Sequence, residues 1–250
     1  MPDAPITIAI DGPSGSGKSS VSKAVARELG LGYLDTGAMY RALAWWCLER
    51  EIDLADQPSV AQAARELPLV MGTDPDDSSV RVGGTDVGAA IRETRISEQV
   101  SAVATNLDVR AELRRRQREL IEQERRRHGG VVVEGRDITT VVAPDAEHRI
   151  LVTASEDARL SRRATELHGA AAAEQLAATH DQVVRRDRDD ATVSAFFEPA
   201  DGVVGLDTSD LTFEQSVRAV LDIVHGAVPV TAAGPPDPGT PHTPDAEEHR

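Results

Sequence analysis

The stretch GPSGSGKS at residues 12–19 constrains this chain more than any other. A β-branched apolar run precedes it at 6–11, and a segment with Val21, Ala24, Val25 and Leu29 on one helical face follows. A glycine-rich turn between a buried strand and a helix can aim several backbone N–H groups at one centre, and the helix start adds partial positive charge. The spacing fits G-x-x-x-x-G-K-[ST]. Gly12, Gly15 and Gly17 supply the turns, and Pro13, Ser14, Ser16 and Ser20 complete the cradle. Lys18 is placed to reach the β- and γ-phosphates, and Ser19 offers a hydroxyl to Mg²⁺. The segment reads as a seat for a nucleoside triphosphate, taken as ATP, and leaves the acceptor of any phosphoryl group open.

Short apolar runs ending in charged or turn residues recur at 31–36, 129–137, 148–154 and 202–209, each followed by a helical pattern. This alternation predicts an α/β fold, a parallel sheet covered on both faces, with ligands outside the carboxyl ends of the strands. Asp11, Asp35 and residues 134–137 fall at such ends. Residues 68–90 carry short alternating runs broken by Asp, Pro and Gly, and read as a small antiparallel subdomain inserted into a core of residues 1–67 and 91–226. Residues 227–250, rich in Pro, Gly, Thr and acids, are expected to be a disordered tail. With aromatics at 3%, the core must be aliphatic.

Formal net charge is -15, which argues against non-specific nucleic-acid binding and against docking on anionic membranes. No apolar run has the length of a membrane span and no secretory signal precedes the first strand. Cys47, the single cysteine, rules out an intrachain disulfide and suits a cytoplasmic location. It reads as a buried small hydrophobe beside Trp45 and Trp46, which read as packing residues. His128, His168 and His180 lack metal-ligand spacing and read as surface positions.

Two readings of the acceptor compete. A switch that passes the phosphate to water should carry an N-K-x-D motif if it reads guanine, and none is found. A small-molecule kinase needs a second anion site, and arginines supply one: Arg41 in DTGAMYR, Arg92, Arg136 in EGRD, then Arg162, Arg163, Arg185, Arg186 and Arg188. The arginines of 114–127 alternate with glutamates and read as a solvated, salt-bridged helix face. A kinase for UMP or for an alcohol, with Asp35 or Glu134 as base, and a nucleotide-dependent regulatory module remain alternatives.

The motifs IDGPSGSGKSS, YLDTGAMYR, VGAAIR, VSAVATNLDVR, EGRDITTVV and VVRRDRDD, in this order and spacing, resemble the bacterial cytidylate kinases from about residue 6 to 224. The resemblance implies a nucleoside monophosphate kinase with a five-stranded parallel sheet, an arginine-bearing lid at about 158–192, a monomeric state, and transfer of the ATP γ-phosphoryl group to CMP or dCMP. It implies that Thr36, Tyr40, Arg41, Arg92 and Arg136 hold the CMP phosphate. Ser101, Arg110 and Asp137 would read the cytosine, and Arg186 and Asp190 the ribose. Lys18, Arg162, Arg163 and Arg188 would meet the charge of the transferring group. Asp35 is expected to join Ser19 around Mg²⁺ through water rather than only capping the next helix. Two departures stand out. Thr36 replaces a serine, and Val193 stands where the family carries an arginine.

Overall fold

The computed structural model describes residues 4–168, 192 and 196–227 of the chain. The Pro- and acid-rich end, Arg186, Arg188, Asp190 and Val193, and the side chain of Arg163 lie outside the described residues.

The sheet has five parallel strands: β1 (Ile6–Asp11), β2 (Gly32–Asp35), β6 (Gly130–Gly135), β7 (His148–Thr153) and β8 (Val204–Asp207), in the order β2-β6-β1-β7-β8. Both faces are covered, so consecutive strand residues enter different cores. Ile8, Ile10, Val132, Ile150 and Val152 pack on α1 (Lys18–Leu29) and α7 (Phe213–Val224) through Val21, Val25, Val220 and Leu221. Ala9, Leu34, Val131 and Val133 pack on the other side, where Met39 and Leu43 of α2 (Thr36–Glu49), Ile96 and Val103 of α4 (Thr94–Ala104), and Leu113 and Ile121 of α5 (Leu107–His128) fill the space. Cys47 is fully buried in this second core, where burial pushes its thiol up to about 11. Trp45 and Trp46 pack against it, with the Arg50 guanidinium 3.8 Å from the Trp46 ring centroid.

Residues 51–67 carried no predicted element, yet α3 spans Gln57–Glu66. Its buried face is Val60, Ala61, Ala63 and Ala64. Alanine offers little hydrophobic contrast, so the periodicity is faint in the sequence. Asp56 caps it by accepting from the Ser59 N–H.

β3 (Leu69–Met71), β4 (Val80–Val82) and β5 (Thr85–Asp86) form a separate antiparallel sheet, as the alternating runs suggested. The loop between β3 and β4 is fastened to α1. Arg27 Nε lies 2.7 Å from Asp76 Oδ1 and Lys23 Nζ 2.5 Å from Ser78 Oγ. The Tyr33 N–H donates to the Thr73 carbonyl at 2.7 Å.

The arginine face of α5 is only partly the solvated ladder expected. Arg115 pairs with Glu112 and Glu119 in that manner. Arg116, however, donates to the carbonyls of Leu67 and Arg65, Arg118 to those of Val141 and Val142, and Arg125 binds Glu147 and Thr7. A guanidinium has five donors, so one side chain can serve the helix face and a distant carbonyl together. His128 is exposed, as expected, and its ring lies 2.5 Å from the buried Glu124 carboxylate. Among the described residues, no helix is long and apolar enough to cross a membrane.

Candidate active site

The phosphate loop sits where the sequence put it, between β1 and α1. Gly17 is the N-cap of α1 with φ 86. Gly15 has φ 77, and a Cβ there would lie 2.5 Å from the Arg159 carbonyl oxygen. Only glycine satisfies both the backbone angle and the close approach. Lys18 arches back so that Nζ lies 3.3 Å from the Pro13 carbonyl. The loop is also held from outside by α6 (Glu156–His168): Arg159 donates to the Ser14 carbonyl at 3.1 Å and Arg162 to the Ser16 carbonyl at 3.2 Å.

The register of the sheet places Asp35 beside Glu134 and Asp11 beside Gly135, so three acids meet at one edge. Each is tied differently. Asp35 caps α2 through Ala38 N–H and takes the Arg41 guanidinium at 2.8 Å. Burial opposes its charge, but Arg41, the Ala38 N–H, Arg92 and Lys18 together hold its carboxyl below the usual range. Glu134 is pushed up by burial and by the neighbouring Asp35 charge. It accepts from the Tyr33 hydroxyl at 2.6 Å, while its backbone carbonyl takes the Thr36 hydroxyl at 2.8 Å. Asp11 accepts from the N–H groups of Ile138 and Thr139 and from the Thr139 hydroxyl. Burial nevertheless raises it to about 6.

Asp11 thus fixes the π-helical turn Ile138–Val142, directly after Arg136 and Asp137. Asp137 accepts from Arg110 at 2.5 Å, and both are buried. Arg110 enters from α5 and also donates to the Ala104 carbonyl. The Arg136 guanidinium lies 4.8 Å from the Phe196 ring centroid. Burial pushes the Tyr40 hydroxyl up to about 12.

These groups share one cleft, lined by Lys18, Ser19, Asp35, Thr36, Tyr40, Arg41, Arg110, Glu134, Arg136 and Asp137. Three arginines, Arg41, Arg110 and Arg136, and a hydroxyl-bearing helix start thus face the lysine end of the phosphate loop. Such a space accepts a second anion beside the first, with a carboxylate–guanidinium pair at hand to read a polar ring.

Three expected residues lie apart. Arg92 lines a neighbouring cavity between α1, β2 and the small sheet, which shares Asp35 with the cleft. Ser101 is on α4, where Val100 and Ala104 rather than Ser101 line the cleft. Arg162 was expected to meet the charge of the transferring group. Instead it lies on the far side of the loop, held by the carbonyls of Ser16, Thr208 and Leu211. Its charge is legible in the sequence but its direction is not, because its partners are oxygens 146 residues back at Ser16 and 46 to 49 residues onward at Thr208 and Leu211. Tyr33 and the organising role of Asp11 were not singled out. The one available signal was that Asp11 and Tyr33 belong to strands that end in this cleft.

The family profile described as cytidylate kinase matches residues 8–226. A curated cytidylate kinase of Streptomyces avermitilis is 44% identical over 220 residues, covering 88% of this chain and 92% of that protein. One from Cutibacterium acnes is 46% identical over 225 residues, covering 90% of this chain and 98% of that protein.

Proposed function

The chain belongs to the cytidylate kinase family, ATP-dependent phosphotransferases that act on CMP, and on that premise we propose how its residues divide the work. The phosphate loop holds the ATP phosphates with Lys18 at their far end. The CMP phosphate lies across the cleft against Thr36, Tyr40, Arg41 and Arg136, with Arg92 approaching from the adjoining cavity. Asp137, steadied by Arg110, accepts from the exocyclic amine of cytosine. Uracil presents a carbonyl there, and two acceptors would face each other. The 2-deoxy substrate dCMP fits the same scheme.

The reaction needs no general base. A CMP phosphate oxygen, largely dianionic at neutral pH because its second pKa is near 6, attacks the γ-phosphorus in line. The bond from that phosphorus to the β–γ bridging oxygen breaks, and CDP and ADP form. The obstacle is repulsion between two anions. Lys18, Arg41 and Arg136 oppose it by holding both in one geometry and spreading the developing charge.

The donor set suits Mg²⁺. Among the described residues the edge offers oxygen ligands, the Ser19 hydroxyl beside the Asp35 and Glu134 carboxylates, which a hard cation that keeps most of its waters prefers. Bound there by Ser19 and, through water, Asp35, the ion would neutralise charge on the β- and γ-phosphates. Asp35 also caps α2 and pairs with Arg41, so it can orient that arginine at the same time.

The observation that carries this reading is the cleft in which Lys18 faces Arg41, Arg136 and the Arg110–Asp137 pair. The test is ADP release with Mg-ATP and CMP, dCMP, UMP, AMP or GMP in turn. Fast turnover with CMP and dCMP, slow with UMP and none with purines is the expected pattern. Equal rates with CMP and UMP would remove Asp137 from base recognition.

A further inference from the structure

The three arginines of the acceptor cleft are steadied by different chemistry. Arg41 meets the Asp35 carboxylate and Arg110 the Asp137 carboxylate, each at hydrogen-bond distance. Arg136 lies over an aromatic ring, its guanidinium carbon 4.8 Å from the Phe196 ring centroid.

The sheet brings that ring to its place. Register sets Gly135 of β6, Asp11 of β1 and Leu151 of β7 in one row at the carboxyl edge. Arg136 follows Gly135 directly. Phe196 packs with Leu151 and with Val203, the residue before β8, in a small apolar cluster separate from the two large cores. A further guanidinium braces the two segments against each other. Arg149 donates to the Thr139 carbonyl, in the turn after Arg136, at 3.3 Å and to the Asp201 carbonyl, in the loop after Phe196, at 3.1 Å. Of the chain's three phenylalanines, Phe197 and Phe213 are half exposed and Phe196 is fully buried. The Phe197 ring leans on it, centroid to centroid 4.6 Å, at an angle of 33°.

We propose that Phe196 is a positioning residue for the acceptor phosphate: its ring holds the Arg136 guanidinium so that the N–H donors meet the phosphate oxygens in a fixed orientation. This rests on the phosphotransferase reading above and deepens it. A carboxylate in the place of the ring would neutralise the arginine and take up its donors. The ring attracts the cation through its quadrupole, carries no net charge and accepts no conventional hydrogen bond. The positive charge is therefore kept for the incoming dianion. Burial of Phe196 adds to the effect, because a cation–ring attraction strengthens where water is excluded.

The experiment replaces Phe196 in the full chain by mono-, di- and trifluorinated phenylalanines. These keep the ring close to its natural size and withdraw electron density from its face in steps. The KM for CMP at saturating ATP should rise with each fluorine, reaching about tenfold for the trifluorinated ring, while the KM for ATP stays within about twofold. CMP binding by calorimetry should weaken in the same order, and the melting temperature should not follow the series. Phe196→Leu, which keeps apolar bulk without the aromatic face, should raise the KM for CMP at least as far as the trifluorinated ring. In an Arg136→Ala background the fluorinated series should leave CMP affinity unchanged, because the cation it acts on is gone.

A flat series in the wild-type background would overturn the proposal and leave the ring as packing. So would a slope that persists in Arg136→Ala, which would mean that the ring acts on a group other than Arg136. A parallel rise in the KM for ATP would also overturn it, since the ring would then shape the cleft as a whole. The premise is read separately: no CMP turnover by the wild type, or wild-type CMP affinity in Arg136→Ala, would break the acceptor-site reading itself, whatever slope the ring variants gave.

Discussion

The two halves of the proposed active cleft are made of different material. The donor side is built from backbone: glycines with positive φ, the start of α1, and loop carbonyls on which Arg159 and Arg162 hold. The acceptor side is built from side chains sent in by β2, α2, α5 and the turn after β6, and held by bonds between them. A backbone site is compact in sequence because its parts are neighbours along the chain. A side-chain site is compact only in space. The first should fail through any added atom that moves the main chain, the second through the loss of a particular functional group.

The largest expected effect tests the backbone side. Gly15→Ala places a Cβ 2.5 Å from the Arg159 carbonyl and asks alanine to hold φ 77. Either the loop shifts or it stays strained at about 1–3 kcal/mol, with the clash in addition. ATP affinity by calorimetry should fall roughly a hundredfold, with CMP affinity unchanged. Equal losses for both ligands would mean that the halves are not separable.

Next in size is Asp137→Ala. It removes the proposed acceptor for the cytosine amine and leaves the buried Arg110 without its carboxylate. The KM for CMP should rise about ten- to a hundredfold with the KM for ATP unchanged. Denaturant unfolding should show a loss of about 2–4 kcal/mol, because a buried cation has lost its partner. Unchanged CMP kinetics in a destabilised protein would make the pair structural.

The smallest effect sharpens the role of Asp11, the acid that joins the two sides. Its folded pKa of about 6 lies above the ordinary 3.8. Between those values the folded chain binds more protons than the unfolded chain, so this group adds stability as pH falls and removes it as pH rises toward neutrality. Going from pH 7 to pH 5 should gain about 1 kcal/mol from Asp11 alone. It is read as the difference in slope between wild type and Asp11→Asn in denaturant melts. An identical slope in the two proteins would mean that Asp11 titrates as an ordinary carboxylate.

The same contrast explains what could be read in advance. The phosphate loop, the strand–helix alternation and the antiparallel run near residue 80 are local patterns, and the structure has them where the sequence suggested. On the acceptor side, Thr36, Arg41, Arg110, Arg136 and Asp137 were chosen by the order of motifs, and they do line one cleft. What the sequence hid was partnership. Nothing near Arg162 announces that it turns toward Ser16 and Thr208, and nothing near Asp11 announces the N–H groups of Ile138 and Thr139. Helix α3 hid for a different reason, since an alanine face contrasts weakly with its surroundings.

The strand order carries one more consequence, for the chain as it is made. β1 leaves the ribosome first yet lies at the centre of the sheet, and its two partners, β6 and β7, begin at Gly130 and His148. At ordinary translation speeds that is a wait of about ten seconds. Through that interval the strand that will position the phosphate loop has both hydrogen-bonding edges bare and an apolar, β-branched sequence. The phosphate loop is therefore written before the strands that flank it and finished late, and the newborn chain is most exposed to mispairing just before that sheet closes.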